Sequence, residues 1–488
     1  VSDRRSFTTG LRSLAYQRCV GSGEGALPYL PVVNGKPIYI KGVNMTPMDM
    51  NYGCVTAQRT EMFLEKARNA NINLVRVWGG GVIESEAFYE ACSRLGIMIW
   101  QEFIQSSSGI NNVPSKDPHF LRLLSATAVE AVKSRRTYPA LVLWSGGNEL
   151  CDEHGVPCTF EDENIAMLAR IVKEHDTRQM LPTSASGPCE FLDIQKKGRN
   201  HDVHGPWKFG GPEAHYALFN QSDSLLHSEF GVDGMANLSC ILKTVSPRYR
   251  HVSDMESNTI WRHRGEWWGT LVRDTRMFGL FEKEDLQSFI QCSQYIQAEG
   301  LRYALEANRR RAFYNCGSII WQFNEPYPAV SGTNLVDYYG EEKLAYYFVK
   351  DAYAPRKASM TYDKLIWAAG ETLRSKVYVA NGGDAFKGEV RIEAADWQGR
   401  SLFRQNLPVE IPANSVGKAG EITCAMPRSE ALVVTLTLYD GKKLYASEYT
   451  LFVSDSQGFI ERKVAIQQYQ RVKAAAAQPA GRDEAQAV

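Results

Sequence analysis

Residues 141–149 read LVLWSGGNE, an apolar run that ends in Ser, two glycines and an Asn-Glu pair. A run that is apolar at every position is typical of a strand covered on both faces, as in a parallel sheet between helices. The polar ending places Asn148 and Glu149 at the carboxyl end of that strand. The stretch therefore predicts a buried strand that delivers an amide and a carboxyl group to one edge of a sheet.

Seven further runs have the same texture, and helical stretches separate them. The runs are IYIKGVN (38–44), NLVRVWG (73–79), IMIWQEF (97–103), LPTSAS (181–186), DVHGPW (202–207), LLHSEFG (225–231) and SIIWQFNE (318–325). The period of the intervening segments predicts helices over 60–72 and 85–96 and a long helix around 284–314. Eight β-then-α units predict an α/β fold, a (β/α)8 TIM barrel. A doubly wound open sheet is the alternative, but no Gly-rich phosphate fingerprint follows the first strand.

The texture changes after Pro355, where short β-rich runs alternate with Gly, Asn and Asp turns and no helical period is present. Six or seven strands in about 100 residues predict an immunoglobulin-like β-sandwich. We therefore expect the barrel over 25–355, the sandwich over 356–455, and a partly disordered C-terminal extension over 456–488, whose end is low in complexity.

The composition excludes some classes of function. The 488 residues contain 55 Lys and Arg against 55 Asp and Glu, so the formal charge is zero. A nucleic-acid partner or a polybasic contact with a membrane would require an excess of basic residues, and we expect neither partner. No apolar run approaches the roughly 18 residues that span a bilayer. The ten cysteines form no CxxC pair, which argues against a zinc ribbon or a disulfide scaffold.

Polar and aromatic residues gather where the predicted barrel strands end, which is where TIM barrels place their active sites. The set is Asn44, Arg76, Trp78, Gln101, Glu102, Asn148, Glu149, His204, Trp207, Glu229, Trp321, Asn324 and Glu325. Any one Glu of this kind is more often a salt-bridge partner in a loop, and Trp100 and Trp144 are expected in the core. Carboxylates and indoles around one mouth together indicate a sugar site, since indole faces stack on sugars and carboxyl groups supply acid–base chemistry. The glycines before Asn148 are expected to leave space for the ligand.

Several of these stretches resemble a known family. NGKPIYIKGVN, NLVRVWGGGVIE, HSEFG and SIIWQFNEPYP, together with ALVLWSGGNE, resemble the barrel of glycoside hydrolase family 2 in its β-mannosidase and exo-β-glucosaminidase branch. The resemblance covers most of residues 7–454. It implies a retaining exo-β-glycosidase that hydrolyses terminal β-linked sugars, with a β-mannoside as the expected substrate and a β-glucosaminide as the alternative.

The resemblance also implies roles for single residues. Glu149 is the expected general acid/base and Glu229 the expected nucleophile. By the same match, Asn148, Arg76, Trp78 and Trp321 are expected to bind substrate. Their positions at the strand ends add Asn44, Glu102, His204, Trp207 and Glu325 to the residues expected to bind substrate. In a retaining enzyme the two carboxyl groups lie roughly 5–5.5 Å apart, and the negative nucleophile is expected to raise the pKa of the acid. This chemistry needs neither a metal ion nor an organic cofactor.

The first residues resemble a different part of the family architecture. FTTGLRSLAYQ (7–17) resembles the last strand of an immunoglobulin-like domain that precedes the barrel in family members, and we assign residues 1–24 to it. A lone strand leaves its backbone groups unpaired. We therefore expect this segment to pair with a separate chain that carries the missing N-terminal β-sandwich domains, or to derive from a longer precursor.

The loop CDEHGVPC (151–158) offers a rival interpretation, because it combines two Cys with Asp, Glu and His. Three alternatives stay open: a metal site, although the spacing matches no common zinc pattern, a Cys151–Cys158 disulfide, and a hydrogen-bonded loop. Two functions also stay open, an active exo-glycosidase and a non-catalytic carbohydrate-binding or scaffolding subunit of a larger complex.

Overall fold

The computed structural model describes residues 3–4, 9–107, 111–265 and 269–477. Within them the strands are β1 (Leu14–Gln17), β2 (Leu30–Val33), β3 (Lys36–Pro37), β4 (Ile40–Met45), β5 (Leu74–Val77), β6 (Met98–Glu102), β7 (Leu141–Ser145), β8 (Met180–Leu181), β9 (Asp202–His204), β10 (Leu226–Phe230), β11 (Gly234–Met235), β12 (Gly317–Ile320), β13 (Ser331–Gly332), β14 (Arg356–Met360), β15 (Ile366–Trp367), β16 (Thr372–Asn381), β17 (Phe386–Asp396), β18 (Ser401–Ile411), β19 (Ser415–Ala425), β20 (Ala431–Tyr439) and β21 (Lys443–Val453). The α-helices are α1 (Ala57–Asn69), α2 (Glu86–Leu95), α3 (Pro118–Arg135), α4 (Glu163–His175), α5 (Ala214–Gln221), α6 (Leu238–Thr244), α7 (Thr259–Arg264), α8 (Thr270–Phe278), α9 (Leu286–Arg309), α10 (Leu344–Ala352) and α11 (Arg462–Ala476). In this part of the chain no helix is both long enough and apolar enough to cross a membrane.

Eight parallel strands form the curled sheet of the barrel, in the order β8-β7-β6-β5-β4-β12-β10-β9. Each strand overlaps one of the eight predicted runs, and the predicted α/β barrel is confirmed. The two edges of the sheet meet through the loop after β8, where Ser186 N donates to Asp202 Oδ2 at 2.8 Å and Gly187 N donates to Asp202 O at 3.2 Å. The residues that follow the strands therefore converge on one mouth.

Local signals fix where the surrounding helices begin and end. Thr56 caps α1 by accepting a hydrogen bond from Arg59 N, and Asp162 caps α4 in the same way, so that amides without a partner in the first turn are satisfied. Gly96 ends α2 in the left-handed conformation that glycine adopts without strain. The long helix α9 is buried along most of its length because the barrel, α10 and α11 surround it.

The floor of the barrel, at the opposite end of the strands, is covered by β1, β2 and β3. Leu14–Gln17 pairs antiparallel with Leu30–Val33, so the expectation that the first strand lacks a partner in this chain is wrong. Tyr16 OH donates to Val142 O at 2.8 Å, and Arg12 Nε donates to Pro139 O at 2.8 Å. These contacts attach the segment to the start of β7, where free carbonyl groups need donors.

The sandwich after the barrel consists of two antiparallel-based sheets, β14-β16-β19 and β15-β21-β20-β17-β18. Its strands alternate buried and exposed residues, as in β16, and the predicted immunoglobulin-like fold is confirmed. The sequence did not indicate β19, because Gly417 and Gly420 interrupt its β-rich character.

Within the C-terminal extension, which was expected to be partly disordered over 456–488, residues 462–476 form α11. The helix packs on α9 through buried Val464 and Ala465. Residues 478–488, the low-complexity end, lie outside the described residues.

Candidate active site

The structure brings Glu149 and Glu229 together at the mouth of the barrel. Glu149 follows β7, and Glu229 lies in β10 on the other side of the barrel. One carboxylate oxygen of each and one ring nitrogen of His204 lie within 4.8 Å of one another. Glu229 is buried, whereas Glu149 is half-buried. A spacing of this size suits direct attack by one carboxylate on a sugar carbon whose leaving oxygen the other protonates.

Arg76 in β5 holds the base of this site. Its Nη1 donates to Glu229 Oε2 at 2.8 Å and to Asn44 Oδ1 at 2.5 Å. Its Nη2 donates to Asn148 Oδ1 at 2.6 Å and to both oxygens of Glu102 at 3.1 Å. A buried guanidinium that satisfies two carboxylates and two amides at once fixes all of them in place.

Three of these residues were predicted to bind substrate, and their burial does not fit direct contact. Arg76 and Asn44 are 0% exposed and Glu102 is 1% exposed. Asn44 Nδ2 donates to Ser228 O, and Glu102 accepts from Gly79 N and from Ser145 Oγ. Apart from Arg76 Nε, which is buried without a hydrogen-bond partner among the described residues, their polar atoms bond within the protein. These three residues therefore position Glu229 and Asn148.

Glu149 is held at each oxygen by a different donor. His204 Nδ1 lies 2.9 Å from Oε1, and Ser107 Oγ donates to Oε2 at 2.8 Å. The backbone of Glu149 has φ +51°, in the left-handed region that a residue with a side chain rarely adopts.

The two glycines before Asn148 serve the backbone and not the ligand. A Cβ on Gly146 would lie 2.3 Å from Pro182 O, and one on Gly147 would lie 2.6 Å from Gln105 O. Neighbouring strand ends therefore approach too closely for any side chain, which corrects the expectation that these glycines leave space for a sugar.

His204 continues a chain of hydrogen bonds away from Glu149. Its Nε2 lies 3.0 Å from Ser184 Oγ, which donates to Ser228 Oγ at 3.0 Å. Ser228 in turn donates to Asp202 Oδ1, and Ser186 N and Oγ both donate to Asp202 Oδ2. Since Ser184 gives its one proton to Ser228, it accepts from His204, and the chain is satisfied throughout when the imidazole carries both protons.

The pKa shifts at the site reverse the expected order. Burial raises the pKa of Glu229, opposed by the charges of His204 and Arg76. Burial also favours a higher pKa for Glu149, but the hydrogen bond and charge of His204 outweigh it and lower the pKa of that carboxyl. Burial lowers the pKa of His204, yet Glu229 and Glu149 together raise it above its usual value. The proton expected on Glu149 therefore belongs to the Glu149–His204 pair as a unit.

Three half-buried tryptophans border the carboxylate pair or the strand ends beside it. Trp207 Nε1 donates to Glu229 Oε1 at 2.9 Å. Trp78 and Trp321 meet edge to face, with ring centroids 5.3 Å apart. Each indole keeps part of its surface exposed, as a stacking platform for a sugar requires. Trp100 and Trp144 are fully buried, as expected for core residues.

Some predicted residues form hydrogen bonds with neighbouring segments and not with the carboxylate pair. Glu325 accepts hydrogen bonds from Tyr338 N at 2.9 Å and from Ala329 N at 3.4 Å, and burial raises its pKa to about 8. Asn324 Nδ2 donates to Thr46 O at 3.0 Å. Gln101 Oε1 accepts from Tyr89 OH at 2.7 Å. These hydrogen bonds fix loops at the strand ends, because the amides and carbonyls of those loops need partners, and both bonds to Glu325 use the same oxygen, Oε1.

Glu149, His204 and Glu229 are spaced so that they could ligate a metal ion. However, each carboxylate oxygen of the two glutamates already accepts a hydrogen bond, and Arg76 supplies a positive charge beside them. A cation would have to displace these donors. In the loop 151–158, Cys151 and Cys158 are free thiols, and Asp152 accepts from His154 N and Val156 N. The hydrogen-bonded loop is the alternative that the structure shows.

The sequence did not single out the residues that hold Glu149 and His204. These are Ser107, Ser184, Asp202 and Ser228, and Glu190 also lies nearby. Ser228 and Asp202 stand inside the quoted runs HSEFG and DVHGPW, one or two residues from the residues that were named. Ser184 also stands inside a quoted run, LPTSAS, but it follows the end of β8. Ser107 and Glu190 lie in loops whose approach to Glu149 depends on the folded barrel.

Known proteins share both parts of this architecture. Residues 30–194 match the TIM barrel domain of glycosyl hydrolases family 2, and residues 374–454 match a mannosidase Ig/CBM-like domain. The chain is 26% identical over 363 residues to a β-mannosidase B of Aspergillus fumigatus, covering 69% of this chain and 41% of the relative. It is 24% identical to a β-mannosidase of Mus musculus, covering 91% of this chain and 54% of the relative. The crystal structure of a β-D-mannosidase from Dictyoglomus thermophilum superposes with a TM-score of 0.76 at 25% identity, over 91% of this chain and 54% of that one.

The matching barrel and the shared fold show that the chain has the architecture of a glycoside hydrolase. More narrowly, its barrel segment is similar to that of glycosyl hydrolases family 2 and its sandwich to the Ig/CBM-like domain of mannosidases, and the relatives that it resembles are β-mannosidases. The chain spans about half the length of these relatives, or 41–54%.

Proposed function

We propose that this chain carries the catalytic site of a retaining exo-β-glycosidase that removes terminal β-mannosyl residues. The observation that carries the proposal is the approach of Glu149 and Glu229 to within 4.8 Å, with different partners on each. An inverting enzyme needs roughly 6.5–9.5 Å between the carboxyl groups so that water fits between substrate and base.

In the first step, a carboxylate oxygen of Glu229 bonds to the anomeric carbon as the glycosidic bond breaks. The proton shared by Glu149 and His204 passes through Glu149 to the departing oxygen, which leaves as an alcohol. Arg76 and Trp207 donate to the two oxygens of Glu229 and orient it before attack. The charges of His204 and Arg76 favour its ionised form against the effect of burial.

In the second step, Glu149 accepts a proton from water while the water oxygen bonds to the anomeric carbon. The ester bond to Glu229 breaks, and the sugar leaves with the configuration it had in the substrate. Esterification has removed the negative charge of Glu229, which was one cause of the raised His204 pKa. The pair then holds its proton less tightly, which suits its role as base.

The choice of mannose is supported by the relatives named β-mannosidase, at 24–26% identity. A panel of p-nitrophenyl β-glycosides, including mannoside, glucosaminide, glucoside and galactoside, tests it. We expect release of nitrophenol to be fastest from the mannoside, and NMR of the first product should show the β-anomer.

Glu229→Gln should abolish turnover, whereas Glu153→Gln, which neutralises an exposed carboxyl in the loop after Glu149, should not change it. A wild-type chain that binds mannosides but hydrolyses no member of the panel would favour the non-catalytic sugar-binding alternative. First release of the α-anomer would contradict the retaining mechanism.

A further inference from the structure

A large apolar side chain lies exposed beside the active site and takes no part in the steps above. Phe191 belongs to the loop between β8 and β9, and it is 50% exposed. Its ring meets that of Trp207 edge to face, with the ring centroids 5.9 Å apart. Trp207 Nε1 in turn donates to Glu229 Oε1 at 2.9 Å. The ring of Phe191 therefore contacts the indole that holds the nucleophile and still presents accessible atoms to solvent.

The backbone of Phe191 is fixed against the strand that carries His204. Phe191 pairs with His204 in a parallel β-bridge. His204 N donates to Glu190 O at 2.8 Å, and Leu192 N donates to His204 O at 3.0 Å. The ring of His204 lies 2.9 Å from Glu149 Oε1. The backbone of Phe191 is thus held beside the partner of the acid/base, just as its ring is held beside the partner of the nucleophile.

The loop that follows Glu149 packs against the segment that leads to Phe191. A Cβ on Gly187 would lie 2.9 Å from Pro157 Cγ, so the loops 151–158 and 187–191 are in contact. The side chain of Glu149 is itself 15% exposed, so its carboxyl group can be reached from the mouth. Phe191 therefore lies on the side of the mouth that the acid/base and the loop after it occupy.

This position indicates which part of a substrate the ring meets. In the proposed reaction the departing sugar is attached through the oxygen that Glu149 protonates, so it extends from the mouth on the side of Glu149. A single exposed apolar residue is common on protein surfaces and needs no function. Phe191 differs because its backbone is bonded on both sides of the residue and its ring rests on a second aromatic ring of the site. A fixed and accessible aromatic face suits stacking on the C–H-rich face of a sugar.

We propose that Phe191 is a specificity-determining residue of the acceptor subsite, where its exposed ring stacks on the departing sugar. The inference rests on the proposed function and adds a preference for a leaving group that contains a ring. A disaccharide presents such a ring to Phe191, whereas a methyl glycoside presents only a methyl group. The stacking contact should therefore favour the disaccharide and contribute nothing to hydrolysis of the methyl glycoside.

The test compares β-1,4-mannobiose with methyl β-mannoside, which share the terminal sugar and both need protonation of the leaving oxygen. In Phe191→Ala, kcat/KM for mannobiose should fall about 5- to 30-fold, while kcat/KM for methyl β-mannoside should change less than about twofold. Phe191→Tyr keeps an aromatic face and should retain most of the mannobiose activity. The matched control is Tyr314→Ala, which removes an exposed ring just before β12, at the opposite end of the strands. Its ratio of the two activities should equal that of the wild type.

Each outcome decides the inference. An equal loss on both substrates in Phe191→Ala would show that the ring acts only through Trp207 and the nucleophile, and would overturn it. An unchanged ratio of the two activities would also overturn it. If Phe191→Ala misfolds by circular dichroism, the same ratio in Phe191→Leu, which keeps apolar bulk without an aromatic face, decides. A wild-type chain that hydrolyses neither substrate would overturn the proposed function and the inference with it, which is a distinct result.

Discussion

The mouth and the floor of the barrel are built from the same strands but bury opposite kinds of side chain. At the mouth, Arg76, Glu102 and Asn44 are enclosed and bonded to one another. At the floor, apolar residues such as Leu30 and Ile319 pack in one cluster beneath Trp100. Arg76 and Ile319 are equally inaccessible, at 0% exposure.

The difference shows that burial alone does not identify a site. A buried charge must be matched by partners of fixed geometry, whereas a buried apolar side chain needs only close packing. The ring of Trp100 separates the two layers, with the Arg76 guanidinium 5.4 Å from its centroid. We therefore expect substitutions above this ring to change rates and substitutions below it to change stability.

The largest effect is expected at the mouth, in Glu149→Gln. Without a general acid, turnover of mannosides with poor leaving groups should fall roughly 10²- to 10⁴-fold. For substrates with activated leaving groups, the rate of the first step should fall much less. Azide should restore part of the rate, because it attacks without the help of a general base. The assignment of Glu149 fails if both classes of substrate lose activity equally and azide has no effect.

At the floor, Leu30→Ala should lower the stability of the protein and leave its catalytic rate unchanged. Leu30 is 4% exposed in the apolar cluster, and its truncation should lower the free energy of unfolding by about 2–5 kcal/mol. The kcat of the folded variant should stay that of the wild type. Urea unfolding measures the free energy of unfolding, and steady-state kinetics measure kcat. The control is Leu11→Ala, at a residue that is 98% exposed. A large fall in the kcat of Leu30→Ala without a loss of stability would contradict the expectation that residues at the floor affect stability and not rate.

A smaller effect is expected from Trp321→Ala, because an indole contributes stacking and contact area and no chemistry. Monosaccharide inhibitors should bind about 1–3 kcal/mol more weakly, as measured by inhibition constants. Trp397→Ala, in the sandwich, removes a half-buried indole outside the barrel and should leave the inhibition constant unchanged. Equal constants for wild type and Trp321→Ala would remove this residue from the site.

The smallest effect is expected in the pH profile of Asp202→Asn. A negative charge at the end of the hydrogen-bond chain favours the protonated form of His204, so its removal should lower the pKa of the Glu149–His204 pair. The pair then loses its proton at lower pH, and the alkaline limb of kcat/KM should move to lower pH. A limb that stays in place or moves up would show that Asp202 does not act on the pair.

Much of the fold follows from the sequence because its signals are local. Continuous apolar runs such as 141–145 can bury both of their faces only inside a covered sheet, and each of the eight runs contributed a strand. The pairing of β1 with β2 could not be found in this way, because residues 18–29 lie between the two strands. The glycines of β19 interrupt its β-rich pattern, so the sequence did not predict this strand, which pairs with β16.

The site was predictable as a set of residues but less so as a set of contacts. Asn148, Glu149 and Glu229 stand at strand ends, and closure of the barrel brings them together. Whether a strand-end residue faces a ligand or its neighbours depends on how donors and acceptors are shared, as the enclosure of Glu102 shows. The lowered pKa of Glu149 depends in the same way on a histidine 55 residues away in the chain.

The left-handed backbone of Glu149 predicts which residue a relative without catalytic activity would carry at this position. Holding a side chain at φ +51° costs about 1–3 kcal/mol, and glycine would adopt the same conformation with little strain. A descendant that kept only the shape of the barrel, as a scaffold, would therefore become more stable by discarding this glutamate. We therefore expect a non-catalytic descendant to carry glycine directly after Asn148, whereas this chain carries Glu149 at that position.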